Sequence, residues 1–404
     1  MRWTGVRTAL IKGQSRYGLL RCFVDDVAEA ITARGDEAVV VDLTEFPIED
    51  LGAHLKALGP VDLVLSFNIC SDYRDAKGRT IFEITGAPHV THFVDHPLHH
   101  LDRLNATPRD AAVLFVDHSH VRAIPKLFGP DRFAYAGFCP HGALGEPAPL
   151  PADAAQFCAE RPIALLFAGT YYQPGPSLLD QFPDHVKALF GAAIEAASTE
   201  DWLPALDALD IALVAFGMDP DGASSDEREG ITALRRLAYI IDDRVRVGRR
   251  QRLLEEAAAA GLPLTLVGEN YGGELVRRPN VDYRGLVPTD EIPLLMRQSR
   301  MVLSANANFG EGSHERPLTA MLAGAAAASD FSTFYDDEFD SGTEIVLFRW
   351  SKLSADLEAL KALLADPAAL FGVAQAGREA VAARHRWRHR VDTYYAAARA
   401  AHPA

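Results

Sequence analysis

An arginine stands where a helix should begin, and no other feature of this 404-residue chain carries as much chemical meaning. An apolar strand candidate, Met301–Ser304, runs into a loop of Asn, Gly, Glu, Ser and His that ends on Arg316-Pro317, and a small-residue helix follows. Proline is favoured at the first helical position, so Pro317 marks the expected start, with Arg316 at or near the cap. An arginine side chain cannot accept hydrogen bonds from the open N–H groups of a first turn, and a cation there opposes the helix dipole by about 0.3–1 kcal/mol. A bound phosphate reverses both effects, since it accepts from the free N–H groups and pairs with the guanidinium. Gly310, Gly312 and Ser313 let the backbone approach such an anion, and His314 and Glu315 offer polar groups to hydroxyls beside it. The competing reading is a plain connection whose arginine pairs with a nearby carboxylate.

The second unusual grouping is the run from Thr91 to His100, which holds His92, Asp95, His96, His99 and His100 and follows a strand candidate, His89–Val94. A carboxylate beside an imidazole supplies a base, or a base with an orienting partner, for removing a proton from a hydroxyl. Asp95 and His96 are the candidate catalytic residues on that ground. His92 and His96 are four apart, a spacing that gathers metal ligands only on a helix; Pro97 and the preceding strand argue against one, so no metal is expected. The competing reading is a set of histidines hydrogen-bonded in a half-buried loop.

Other polar groupings also follow strand candidates. Gly268-Glu269-Asn270-Tyr271-Gly272-Gly273 comes after Leu264–Val267, where Glu269 and Asn270 either contact a ligand or simply form a turn. Lys12-Gly13-Gln14-Ser15-Arg16-Tyr17-Gly18 comes after Thr8–Ile11 and lacks both Gly-x-Gly-x-x-Gly and the Walker pattern, which disfavours a dehydrogenase or a nucleoside triphosphatase. Asp117-His118-Ser119-His120 and Pro140-His141-Gly142 also end predicted strands, and without a Gly-x-Ser-x-Gly elbow a serine hydrolase is poorly supported.

The elements that must position these groups alternate along the chain. Strand candidates Thr8–Ile11, Ala38–Val41, Leu63–Phe67, His89–Val94, Ala112–Val116 and Phe133–Ala136 are separated by helical patterns, clearest at Leu20–Arg34 with Gly35 as its stop. A second series reads Ile163–Phe167, Leu264–Val267, Val281–Tyr283, Met301–Ser304, Ala325–Ala328 and Ile345–Phe348, closed by helices at Ala355–Ala365 and Pro367–Arg399. Continuous apolar strands between helices imply parallel sheets covered on both faces, whose ligands bind beyond the carboxyl ends of the strands. Some ninety-six residues separate the first two strands of the second series, and their helical spacing reads as an all-helical insertion, about 177–245, shaping an acceptor side or an oligomer contact. The Pro-rich Glu146–Pro151 is a linker candidate, giving domains 1–150 and 151–404. The Ala-rich runs Ala257–Ala260 and Ala325–Ala328 read as close-packed core.

Composition sets bounds. At 48% hydrophobic and 24% charged, the sequence is that of a globular protein, and a net charge of −15 argues against nonspecific binding to nucleic acid or anionic membrane. The cysteines, Cys22, Cys70, Cys139 and Cys158, show no metal or disulfide spacing, and no apolar run approaches the roughly 20 residues that span a bilayer. A cytoplasmic location is expected.

Three segments carry a family resemblance. Gly285-Leu-Val-Pro-Thr-Asp-Glu-Ile-Pro-Leu-Leu-Met296, Arg316-Pro-Leu-Thr-Ala-Met-Leu-Ala-Gly324 and the stretch from Asp330 through Phe339 to Gly342-Thr-Glu344 occur in that order. Together they resemble the donor-binding half of the GT-B glycosyltransferases, most nearly the spore-maturation-protein-like, group 1 branch. That resemblance implies an α/β protein of two facing Rossmann-like domains whose last helix packs back on the first. It further implies metal-independent transfer of a sugar, in bacterial glycan biosynthesis, from a nucleotide-activated donor to a hydroxyl of a glycan or protein. Arg316, His314, Glu315, Ser313, Gly312, Thr319, Glu269 and Asn270 then fall on the donor side. Gly13, Ser15, Arg16 and His141 fall on the acceptor or phosphate side of the cleft. Thr319 stands where the family has a glutamate that holds the ribose, and Glu315 and Glu311 are the candidates to replace it. A catalytically idle relative that binds a partner, and a nucleotide-sugar epimerase of the same architecture, are the alternatives.

Overall fold

The computed structural model describes residues 5–68, 73–171, 178–222, 224–306 and 308–403. The chain forms two compact units, Met1–Leu144 with Arg386–Ala404, and Gly145–His385.

The first unit is built on six parallel strands: β1 (Arg7–Lys12), β2 (Glu37–Asp42), β3 (Leu63–Phe67), β4 (His89–Phe93), β5 (Ala112–Phe115) and β6 (Tyr135–Phe138). Their spatial order is β2-β1-β3-β4-β5-β6. Every residue of β3, β4 and β5 is buried, although only β5 is wholly apolar: β3 carries Ser66, and β4 carries His89, Thr91 and His92. The order reverses between β1 and β3, the point at which open parallel sheets commonly bind their ligands. β6 is displaced two residues from the stretch expected for it, because the Ala134 N–H bonds outside the ladder to the Arg109 carbonyl at 2.6 Å.

The second unit repeats the plan with β7 (Ile163–Ala168), β8 (Leu264–Val267), β9 (Val281–Tyr283), β10 (Ser299–Ser304), β11 (Ala326–Asp330) and β12 (Val346–Phe348), in the order β12-β11-β10-β7-β8-β9. Among the described residues, four α-helices, Asp184–Thr199, Ala205–Ala215, Ser225–Arg236 and Tyr239–Ala259, lie between β7 and β8. The last runs through residue 245, and its Leu253, Leu254, Ala257 and Ala258 join Leu165, Leu264 and Leu266 in the main core. It is therefore the crossover helix of the β7–β8 connection, with three further helices inserted ahead of it. Ala326 and Ala328 of β11 join Leu370, Val373 and Ala374 in the same core.

One expected element divides in two. The helix read over Pro367–Arg399 stops at Arg384 and resumes at Val391. Between them Arg386 is extended and forms a bridge with Ala143, and Trp387 packs so closely that a Cβ on Gly142 would lie 2.5 Å from its backbone nitrogen. That crossing places the final helix, Val391–Ala401, with the first unit. Among the described residues no helix is long and apolar enough to cross a membrane.

Candidate functional site

In the second unit the strand order reverses between β7 and β10, so the loops after these two strands flank the expected ligand crevice. The helix after β10 spans Glu315–Leu322 and is capped by His314, whose Nδ1 accepts from the Arg316 N–H at 3.3 Å. This corrects the expected start at Pro317 with Arg316 as cap. A histidine ring supplies the acceptor that arginine lacks, and Pro317 still falls in the first turn, where its missing N–H costs nothing. His314 Nδ1 also contacts the buried Glu315 carboxylate. The two contacts compete, because a bare Nδ1 caps the helix while a protonated one pairs with Glu315.

Arg316 therefore sits at the second helical position, with its charge still in the turn where the dipole disfavours it. Its Nη1 is buried with no hydrogen-bond partner, and among the described residues no carboxylate pairs with it. A Cβ on Gly169, just past β7, would lie 3.7 Å from that nitrogen. The guanidinium thus lies beside the β7 loop, at the reversal point, with an unmet donor. An anion there would accept from it.

Backbone contacts tie the surrounding loops together. Gly268 has φ +136°, and a Cβ on it would lie 2.2 Å from the Gly169 carbonyl oxygen. Tyr271 donates its hydroxyl to the Gly169 carbonyl at 2.7 Å, the Tyr171 N–H bonds to the Glu269 carbonyl at 2.9 Å, and Arg250 donates to the Thr170 carbonyl at 2.8 Å. Tyr171, Tyr271 and Tyr283 form a run of rings with centroids 5.4 and 5.2 Å apart. Asn270 is exposed at φ +67°, so its conformation alone gives it a turn role; Glu269 beside it is half-buried.

After β10, Ser332 Oγ donates to the Gly312 carbonyl at 2.9 Å and the Thr333 N–H to that of Gly310 at 3.0 Å. The Tyr335 hydroxyl accepts from the His314 N–H at 2.9 Å and donates to its carbonyl at 3.0 Å. Ser313 and Thr319 are buried among these contacts. Preformed backbone of this kind costs little reorganisation when charge develops on a ligand.

Asp330, the last residue of β11, holds the base of the loop through the Asn306 N–H at 2.6 Å. Burial pushes its carboxyl up to about 6, against the pull of that bond, of the Arg249 charge and of the Trp350 Nε1 donor. An unfolded aspartate titrates near 3.9, so the folded state takes up a proton between about pH 4 and 6. Its contribution is fully present below that window and is lost as pH rises through it, by on the order of 2–3 kcal/mol. The wild-type melting temperature minus that of Asp330→Asn should fall by several degrees between pH 4 and 7 in thermal melts; a difference constant with pH would contradict this assignment.

In the first unit, the structure pairs Asp95 with His100 rather than with its sequence neighbour His96. Asp95 accepts from Asn68 Nδ2 at 2.7 Å, and His100 Nε2 lies 3.5 Å from it. Desolvation pushes the carboxyl up, but His100 and Asn68 more than offset it and hold it at about 2. His96 is buried, and its Nδ1 caps the turn Pro97–His100 by accepting from the Leu98 N–H at 3.2 Å. His92 has one ring nitrogen 3.0 Å from the Tyr394 hydroxyl and the other 2.8 Å from the Cys139 carbonyl, so both are committed within the core.

The loop after β1 lies at the reversal of the first sheet. Gly13 is buried and its carbonyl accepts from Arg21 at 3.1 Å; Ser15 is half-buried, and the exposed Arg16 lies over the Tyr17 ring. His141 is buried beyond β6, its carbonyl bound by Arg390 at 2.9 Å. Asp117 caps the helix His118–Phe128 through the Ser119 N–H at 2.7 Å.

Sequence reasoning missed Arg249, Arg250, Tyr271, Asn308 and Tyr335. Asn308 left a trace, since asparagine tolerates the left-handed region in which it lies at φ +59°. The arginines lie just past the stretch read as insertion, and nothing in their spacing tied Arg249 to a loop 59 residues on or Arg250 to one 80 residues back.

A glycosyl transferase-like family profile matches residues 249–396, the stretch that contains the whole Arg316 loop. No curated protein matches the sequence. Among solved structures, Anabaena HepE in complex with UDP and glucose superposes with a TM-score of 0.53 at 12% identity, covering 97% of this chain and 99% of that one. Sucrose-phosphate synthase from Thermosynechococcus elongatus gives 0.52 at 14%, over 97% and 98%. An alpha-glucosyltransferase in complex with UDP gives 0.56 at 11%, over 96% and 100%. The two parallel six-stranded sheets are the two Rossmann-like domains of the GT-B glycosyltransferase fold.

Proposed function

We propose that this chain transfers a sugar from a nucleotide-activated donor to a hydroxyl of a glycan or protein, and that it is related to the spore-maturation-like branch. One observation carries the reading: the Arg316 guanidinium, with a buried donor unmet, stands in the first turn of a helix at the reversal point of a parallel sheet. A leaving phosphate gains negative charge in such a reaction, and arginine with a helix N-terminus stabilises it without a metal. The matching profile and the UDP complexes among the similar structures support a nucleotide-linked donor. His314, Glu315, Ser313 and Gly312 line the phosphate side; Glu269 and Asn270 belong to the neighbouring loop.

Asp95 is the acceptor-side candidate. A carboxylate held at about 2 is a weak proton acceptor, so its strength in this state lies in orienting and polarising an acceptor hydroxyl, with His100 as its partner. Asp95→Asn should leave donor binding intact and lower turnover by about 10²–10⁴-fold. The experiment is nucleotide release from UDP-, GDP-, dTDP-, ADP- and CMP-sugars, with and without EDTA, for wild type and Asp95→Asn. Release by none of them favours the catalytically idle reading, to which Thr319 in place of the family glutamate lends weight. Strict dependence on a divalent ion would overturn the metal-free mechanism.

A further inference from the structure

Asn308 lies in the left-handed region at φ +59° in the middle of the phosphate-side loop. The crossover helix Tyr239–Ala259 holds it there. Its Nδ2 donates to both the carbonyl and the Oδ1 of Asp242, each at 3.0 Å, and its Oδ1 accepts from Arg249 at 3.3 Å. Asp242 and Arg249 are buried neighbours on one face of the helix Tyr239–Ala259. Arg249 reaches further, donating to the Ala197 carbonyl at 2.8 Å and to the Glu200 carbonyl, so the end of the first inserted helix, Asp184–Thr199, is tied to the same point. Just beyond Glu200, Trp202 closes on the loop from the same side: a Cβ on Gly310 would lie 2.7 Å from its carbonyl oxygen. The insertion thus contacts the very loop whose far end presents Gly312, Ser313, His314 and Arg316.

We infer that Asp242 and Arg249 are positioning residues that act through Asn308, and that the crossover helix, braced by the first inserted helix, serves to fix the phosphate-side loop in its ligand-ready shape. The inference rests on the donor reading above. Asparagine suits the position twice over, because it adopts positive φ more readily than most residues and its amide offers both a donor and an acceptor. A loop released from these three bonds would have to be ordered by the ligand, and that ordering subtracts from binding.

The test measures affinity for UDP, GDP, ADP and dTDP by calorimetry, at a temperature well below melting, in the intact chain. Asn308→Gly keeps the backbone freedom and loses the amide; Asp242→Ala loses the carboxylate acceptor and keeps the backbone carbonyl; Asp242→Asn retains a side-chain acceptor oxygen and serves as the conservative rescue. Wild type is expected to bind at least one nucleotide, Asn308→Gly and Asp242→Ala to bind it about tenfold or more weakly while still melting cooperatively, and Asp242→Asn to recover most of the loss. If wild type binds and Asn308→Gly binds equally well, the positioning role is overturned and the donor reading stands. A wild type that binds none of the four overturns the donor reading, and this inference with it.

Discussion

Arg316→Ala should lower kcat/KM for sugar transfer by about 10²–10³-fold while leaving the melting temperature unchanged or slightly raised. Two opposing roles can be assigned to a helix-start arginine, and they differ in sign on stability. A structural arginine has partners, so its loss leaves them unpaired and typically costs 1–3 kcal/mol. Arg316 has a buried Nη1 with no partner and no paired carboxylate among the described residues, so its removal relieves an unmet donor and an unfavourable dipole contact. Under the proposed donor reading, the alanine variant would lose a charge-assisted contact that strengthens as the phosphate departs. Steady-state kinetics beside a thermal melt separate the cases. A variant that melts several degrees lower yet turns over normally would make Arg316 a structural residue and move the phosphate site elsewhere.

Gly268→Ala is expected to be the most damaging small substitution at the site, destabilising the second unit by roughly 3 kcal/mol or more. The new Cβ would lie 2.2 Å from the Gly169 carbonyl oxygen and 2.7 Å from its carbon, both backbone atoms that no rotamer change can move aside. At φ +136° the residue also occupies backbone space that L side chains rarely enter. Relief requires the β7 and β8 loops to part, which disrupts the Tyr271 contact to the Gly169 carbonyl and carries Gly169 away from Arg316. Stability and nucleotide affinity should therefore fall together. Gly272→Ala, four residues on, is the matched control, because its Cβ would meet nothing within 4 Å. Equal denaturant midpoints for the two variants would show that the loops yield without cost.

Much of this arrangement was legible in the sequence because parallel strands announce themselves. β3, β4 and β5 are buried throughout and could be read directly, and so could the Gly-rich loop that runs into the Arg316 helix. The errors have physical causes. Pro317 suggested a helix start, but a histidine can cap a helix, and the true N-terminus moved back to Glu315. The closing helix showed no proline or glycine at its break, because bonding between Ala143 and Arg386 and the packing of Trp387 interrupt it. Asp95 and His96 looked like a pair because they are adjacent, yet neighbouring side chains diverge beyond a strand, and it is His100 that reaches Asp95. The bonds from Asp242 and Arg249 to Asn308 join residues about sixty positions apart, and no local pattern records them.

The central claim is that the loop and helix around Arg316 bind the phosphates of a nucleotide. Calorimetric titration of the wild-type chain with UDP, GDP, ADP and dTDP, each against its own nucleoside and in the presence of EDTA, tests it most directly. At least one diphosphate should bind about 100-fold or more tightly than the matching nucleoside, a difference of about 2.7 kcal/mol contributed by the phosphates. A nucleoside that binds as tightly as its diphosphate, or the absence of binding by all four diphosphates, would contradict it.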